Sequence, residues 1–326
     1  MASEPKTLQQ AIVYFADQMN CINYMVARRW PNGVTCPTCG SSKVHFQPKH
    51  FRWQCAAKHP KRQFTAKVGT IFEDSPIGLD KWLTAVWMIT GCKNGVSSWE
   101  LHRAIGVTQK TAWFMLHRVR LALQDDLSGG MLSGEIEVDE TFIGGKVRNM
   151  HKVRKARVQS QGRNIGGKAI VLGMLERDGK LRAAVVPDRS KVVMQEHVRA
   201  NVEKGAEIHS DEAAHHWRMD DEYIHKIVNH LETYVEDNVH TNGLENFWSL
   251  LKRSLGGTYV SVEPFHLFRY VDEQAFRYNN CKGMNDAERF SFAIRKIVGK
   301  RLTYKELTGK NDPATTQANN SEVQPS

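Results

Sequence analysis

Long apolar runs are missing from this 326-residue chain. The longest of note, Ala169 to Leu175 with Gly173 inside it, falls far short of the roughly 20 residues a membrane helix needs, so no span is expected. The start, Met1 to Thr7, mixes acidic and basic side chains without the apolar core of a secretory signal, and the expected location is the cytoplasm. Cysteine is scarce: of six, only Cys36, Cys39 and Cys55 stand close enough to act together. That speaks against a disulfide scaffold and for metal ligation. No internal repeat is present, and residues 311–326, polar and without aromatics, have the composition of a disordered tail. An acidic balance is lacking too. The 45 Lys and Arg against 35 Asp and Glu give a formal charge of +10 and a pI near 9.3, which favours a polyanionic partner such as nucleic acid.

What is there divides into segments. Residues 1–29 read as a helical lead-in, with Ile12, Phe15, Met19 and Ile22 at helical spacing. Residues 30–72 are rich in Cys, Pro, Gly and basic side chains and too poor in apolar material for a core of their own, so they need a staple. Residues 78–127 return to helical patterns, interrupted near Gly91 to Gly95 and at Gly106, which predicts three helices. Over 132–305 strands and helices alternate, as in a mixed α/β domain. Strands are predicted at Glu135 to Ile143, Ala169 to Glu176, Leu181 to Pro187, Glu207 to Ser210 and Lys226 to Asn229. Helices are predicted from Ser190 and over 241–255, and Asp178-Gly179 marks a hairpin.

The spacing Cys36-x2-Cys39, fifteen residues, Cys55-x3-His59 resembles the two knuckles of a zinc ribbon, in which turns bring two ligand pairs to one tetrahedral Zn2+. His59 stands where a ribbon usually has a second Cys, and His45 and His50 compete with it for the fourth place. Lys43, Lys49, Arg52, Lys58, Lys61 and Arg62 surround the ligands, interleaved with Phe51, Trp53 and Phe64, as expected of a DNA-facing module. Farther on, Ser98 to Ile105, the turn residue Gly106, the cap Thr108 and a second helix with Ala112, Met115, Leu116 and Val119 on one face read as helix-turn-helix. Its second helix would offer Gln109, Lys110 and Trp113 to a major groove, and Arg118 and Arg120 to phosphates.

Three acidic stretches carry the chemistry. In the strand Glu135 to Ile143, alternation puts Glu135, Glu137 and Asp139 on one face, costly unless a cation or hydrogen bonds offset the repulsion. Asp211 ends a short strand, where open α/β sheets usually site their chemistry. Glu245 and Lys252 lie two helical turns apart and share a face. Between the first two acids, Lys146, Arg148, Lys152, Arg154, Lys155 and Arg157 belong to a loop, 146–168, without a single Asp or Glu, suited to neutralising DNA phosphates.

These residues resemble the DDE transposases of bacterial insertion sequences, and within them the insertion-sequence fifteen-ninety-five group, which carries an N-terminal zinc ribbon. The intervals agree, 72 from Asp139 to Asp211 and 34 from Asp211 to Glu245, as do Thr70-Ile71-Phe72-Glu73 and the run Phe247 to Arg253. The resemblance implies a ribonuclease H-like catalytic domain in which Asp139 and Asp211 hold two Mg2+ or Mn2+ ions. Glu245 would complete one coordination sphere, with Asn242 and Asn246 as competitors for that place, and Lys252, beside Arg253, would contact the phosphate of the transposon end. It implies hydrolysis that frees a 3′-hydroxyl, transfer of that hydroxyl into a target duplex, and a homo-oligomer that pairs two double-stranded DNA ends. The competing readings are a zinc-dependent DNA-binding regulator whose acids are structural, and a metal-dependent nuclease that cuts without joining.

Overall fold

The computed structural model describes residues 3–125, 130–145, 168–211, 221–228 and 242–309, together with Lys152. The elements run α1 (Leu8–Phe15), α2 (Gln18–Arg29), β1 (Val44–Gln47), β2 (Arg52–Cys55), β3 (Gln63–Phe64), α3 (Leu79–Gly91), α4 (Ser98–Ile105) and α5 (Gln109–Leu123). Then follow β4 (Glu135–Ile143), β5 (Ala169–Glu176), β6 (Leu181–Val186), α6 (Lys191–Asn201), β7 (Glu207–Asp211), β8 (Ile224–Val228), α7 (Asn242–Arg253), α8 (Leu267–Asn280), α9 (Asp286–Arg295) and α10 (Tyr304–Leu307). By packing they form two units, one of residues up to Leu123 together with those from Met284 onward, the other Gln124–Gly283. The sheet-bearing unit thus stops short of the residue 305 at which the sequence pattern ends it.

In the first unit, capping chemistry sets the helix ends. The Thr7 side chain accepts the Gln10 N–H at the start of α1, and Asp17 accepts from Met19 and Asn20 to start α2. The lead-in is therefore two helices rather than one continuous periodicity, and Ile12 is 51% exposed while Phe15 and Ile22 are buried. Phe15, Tyr24, Trp87 and Phe290 join α1, α2, α3 and α9 in one aromatic cluster, with ring centroids 4.7 to 5.7 Å apart. Such a cluster supplies apolar burial and edge-to-face contact together. Capping boxes, Ser97 with Glu100 and Asn285 with Glu288, begin α4 and α9, and Gly106 ends α4 in the left-handed region with φ 63°.

The second unit is built on a five-stranded sheet in the order β6-β5-β4-β7-β8. The β4–β5 and β5–β6 pairs are antiparallel, and β4–β7 and β7–β8 are parallel. Strand alternation gives the sheet two apolar faces. Ile136, Val138, Ile170, Leu172 and Met174 pack under Met194 and Val198 of α6 on one. On the other, Val171 and Leu175 pack under Leu244, Phe247, Trp248 and Leu251 of α7, with Leu267 and Val271 of α8 alongside.

Candidate active site and metal centre

The metal-ligand cluster in the first unit is made by the knuckle before β1 and the turn after β2. One ligand atom each from Cys36, Cys39, Cys55 and His59 lies within 4.8 Å of every other. Cys36 Sγ is 3.5 Å from His59 Nε2, and Cys39 Sγ is 3.6 Å from Cys55 Sγ. Tetrahedral zinc with Zn–S bonds of about 2.3 Å requires ligand atoms about 3.7 Å apart, so the donor set and its spacing fit that ion. Burial raises the Cys36 thiol, but the N–H groups of Cys39 and Thr38 and the neighbouring thiols outweigh it and bring the pKa to about 7, towards the thiolate a metal binds. His45 lies on the outward side of the ribbon, paired with Gln54, and His50 sits at the hairpin tip, so the histidine brought to the thiols is His59.

In the second unit, Glu135, Glu137 and Asp139 of β4 share a face but not a fate. Glu135 is paired with Arg177. Glu137, only 3% exposed, accepts the Leu244 N–H at 3.0 Å and so caps the first turn of α7 from a strand 107 residues earlier. Its charge, after burial itself, also raises the pKa of Tyr278, whose hydroxyl donates to Gly243 O at 3.3 Å. Asp139 is half-buried; its Oδ2 accepts from Trp248 Nε1 at 2.8 Å and its Oδ1 from the Glu140 N–H at 2.8 Å. Trp248 comes this close because Gly173, opposite Asp139 in the β4–β5 register, has no side chain. A Cβ there would stand 2.8 Å from Leu244 Cδ2 and from Trp248 Cη2 and Cζ2. Sequence reading placed Glu137 among the acids of one face but not as the cap of α7, and it missed the roles of Gly173 and Trp248; the available signal was a glycine inside an apolar strand, which marks a close approach.

Asp211 closes β7. The parallel β4–β7 pairing runs from Glu135↔Glu207 to Val138↔Ser210, and one residue beyond that last pair come Asp139 and Asp211. Glu245, in the first turn of α7, and Lys252 and Arg253, in its last, are exposed. At the other end of β4 and β7, Glu135, Glu207 and His209 also converge within 4.8 Å. Glu207 accepts from Lys226 at 2.7 Å and from His209 Nε2 at 2.6 Å, contacts that hold its carboxyl below the usual range. With Arg177 and Lys226 already neutralising both acids, this is an ion network rather than a metal centre.

The expected DNA contacts divide. Lys152 is exposed; Lys146, Arg148, Arg154, Lys155 and Arg157 lie outside the described residues. Gln109 donates to Ser98 Oγ at 2.8 Å, and the exposed Lys110 sits with Nζ 4.8 Å over the Tyr304 ring. Arg118 and Arg120 depart from the expected role: they are 5% and 1% exposed. The Arg118 guanidinium donates to the carbonyls of Leu302, Ile71 and Glu73 at 2.8 to 3.0 Å, because α5 is wrapped by the chain segments before α3 and after α9. Among the described residues no helix is long and apolar enough to cross a membrane.

Two family models match the chain, an ISXO2-like transposase domain over residues 131–279 and a transposase zinc-ribbon domain over residues 16–57, together more than half of its length. An uncharacterised protein in transposable element ISH50 of Halobacterium salinarum is 27% identical over 258 residues, which span 74% of this chain and 84% of the relative. No solved structure matches.

Proposed function

Because the chain belongs to the transposases that join a zinc ribbon to an ISXO2-like domain, we propose that Asp139, Asp211 and Glu245 form the centre that cuts element ends and joins them to target DNA. The observation that carries this reading is the convergence of backbone elements. Asp139 and Asp211 follow the same last pair of two adjacent parallel strands, and α7 is fastened across Asp139 by Trp248. Along α7, Glu245 stands one turn before Trp248 and Lys252 one turn after it, so all three face the same side. Asn246 falls on the opposite side of the helix and Asn242 well off the Trp248 face, which favours Glu245 as the third residue. A mixed sheet with helices on both faces fits the ribonuclease H-like architecture that the resemblance implies.

An all-carboxylate donor set suits hard divalent ions. Two Mg2+ or Mn2+ ions, when bound, supply activation of the attacking oxygen and stabilisation of the leaving one in an in-line displacement. Asp139 is held in place for that role by its Trp248 and Glu140 donors. Lys252 and Arg253, exposed at the end of α7, would hold the backbone phosphate, with the basic loop around Lys152 as a second clamp. In the first step water attacks the phosphodiester at the element end, leaving a 3′-hydroxyl and a 5′-phosphate. In the second that hydroxyl attacks a target phosphodiester and releases a target 3′-hydroxyl, so the number of ester bonds is conserved. Pairing of two ends makes a homo-oligomer on double-stranded DNA the working assembly.

A pre-cut duplex with a free 3′-hydroxyl, a supercoiled target and Mg2+ test this directly. Wild type is expected to give joined product, and Asp139→Asn and Glu245→Gln to give none while melting as wild type does. Cleavage without joining would replace the reading by a nuclease, and DNA binding indifferent to Mg2+ and to Asp139→Asn by a regulator.

A further inference from the structure

The zinc ribbon presents a face that its metal does not explain. Register puts Phe46, Trp53 and Phe64 across from one another on one side of the three strands, where Trp53 also packs on Trp30 at 5.9 Å. By alternation His45, Gln47, Arg52, Gln54 and Gln63 occupy the other side. None of the five is buried. Three are carboxamides, and two of them are linked with the guanidinium: Gln47 Nε2 donates to Gln54 Oε1 at 2.8 Å and Arg52 Nε donates to Gln47 Oε1 at 3.0 Å. The chain of bonds fixes Gln47 and Gln54 before any ligand arrives, while the terminal nitrogens of Arg52 lie beyond it.

Charge identifies the kind of partner. From Gln18 to Phe72 there is no Asp or Glu, against nine Lys and Arg. The exposed Lys43 and Lys49 bracket β1, and exposed Lys61 precedes β3, so lysines rim a face whose middle carries carboxamides and the single guanidinium of Arg52. A surface meant for phosphates alone would not interleave its cations with carboxamides. Carboxamides instead match the paired donor and acceptor on an adenine edge, and a guanidinium matches guanine. Three strands spaced about 4.8 Å apart make a body about 10 Å across, within a major groove about 12 Å wide.

We infer that the outward face of the zinc ribbon, Gln47, Arg52, Gln54 and Gln63, enters the major groove of duplex DNA and reads base edges, giving the protein its sequence preference while Lys43, Lys49 and Lys61 hold phosphates. This rests on the transposase reading for its partner but not on the catalytic acids. The full-length, zinc-loaded protein is incubated with duplexes carrying a randomised central stretch, and bound DNA is recovered and sequenced. Wild type is expected to enrich a motif containing A·T pairs. Gln47→Ala combined with Gln54→Ala is expected to lose roughly 10- to 100-fold in affinity for that motif. Affinity for a scrambled duplex and its salt slope would stay within about twofold. Zinc content and melting temperature, unchanged in the variant, separate lost reading from lost fold; if they fall, Gln63→Ala at the sheet edge carries the same comparison. No motif from wild type, an undiminished motif in the variants, or equal losses on motif and scrambled DNA would overturn the inference. Should wild type select a motif yet join no pre-cut end, the catalytic reading fails and this one stands.

Discussion

Replacing Gly173 by Ala probes the join between the five-stranded sheet and α7. The new Cβ would lie 2.8 Å from one Leu244 carbon and two Trp248 ring carbons. Carbon atoms rest at about 3.5–4.0 Å, so α7 must withdraw by about 0.7–1.2 Å. The Trp248–Asp139 hydrogen bond, 2.8 Å long, then stretches to about 3.5 Å or more and is lost. Overpacking costs about 1–3 kcal/mol. A hydrogen bond to a charged group contributes about 1.5–3 kcal/mol. Together the unit loses on the order of 2.5–6 kcal/mol, which at about 2–4 °C per kcal/mol lowers its Tm by roughly 5–24 °C. A carboxylate displaced by about 1 Å from its working position should also slow DNA cleavage about 100-fold below the melting range. Calorimetry and single-turnover cleavage measure the two effects. Gly256→Ala serves as the control, because a Cβ there meets nothing within 4 Å. If Gly173→Ala melts and cuts as Gly256→Ala does, the close approach does not hold α7 on Asp139 and the reasoning fails.

Two further outcomes concern the first unit. Burial raises the Cys21 thiol from 9.0 to about 12, so the unfolded chain loses this proton before the folded one does. Stability from this group is complete below pH 9 and declines as pH climbs towards 12; Tm against pH should fall over that window, and Cys21→Ala should flatten the fall, leaving the smaller slope from Tyr24, likewise raised to about 12. Arg118→Ala should cost at least about 3 kcal/mol in urea unfolding, because three carbonyls lose their donor inside the fold. Unchanged stability with weaker, less salt-sensitive DNA binding would put that guanidinium back on the phosphates.

Legibility followed the range of the forces. The strands Glu135–Ile143 and Ala169–Glu176 have the predicted ends, and Ser190 caps α6, since alternation, turn chemistry and caps are local. The zinc ligands were legible for the same reason, two short spacings that a turn can close. Asp17 was not read as a cap because an apolar period ran through it, and one side chain accepting two N–H groups sufficed to start a second helix. Arg118 was misread because a basic residue on a helix is ordinarily exposed; the carbonyl of Leu302 that buries it is 184 residues away. Helix α9 joins the first unit through the Phe290 cluster, a contact no spacing within the catalytic segment announces.

Counting acids on one face of β4 gives three equivalents, and their partners separate them. Glu135 has a guanidinium and Glu137 a helix N-terminus, so each charge is already spoken for by the fold. Asp139 accepts from an indole and a backbone N–H. These two bonds fix the orientation of the carboxylate, a condition a cation ligand must meet. The indole belongs to α7, so the bond that aims Asp139 also sets the rotation of the helix carrying Glu245 and Lys252. Trp248→Phe, which keeps the ring and removes the N–H, would loosen both at once, and this coupling is why the proposed centre depends on a residue that ligates nothing.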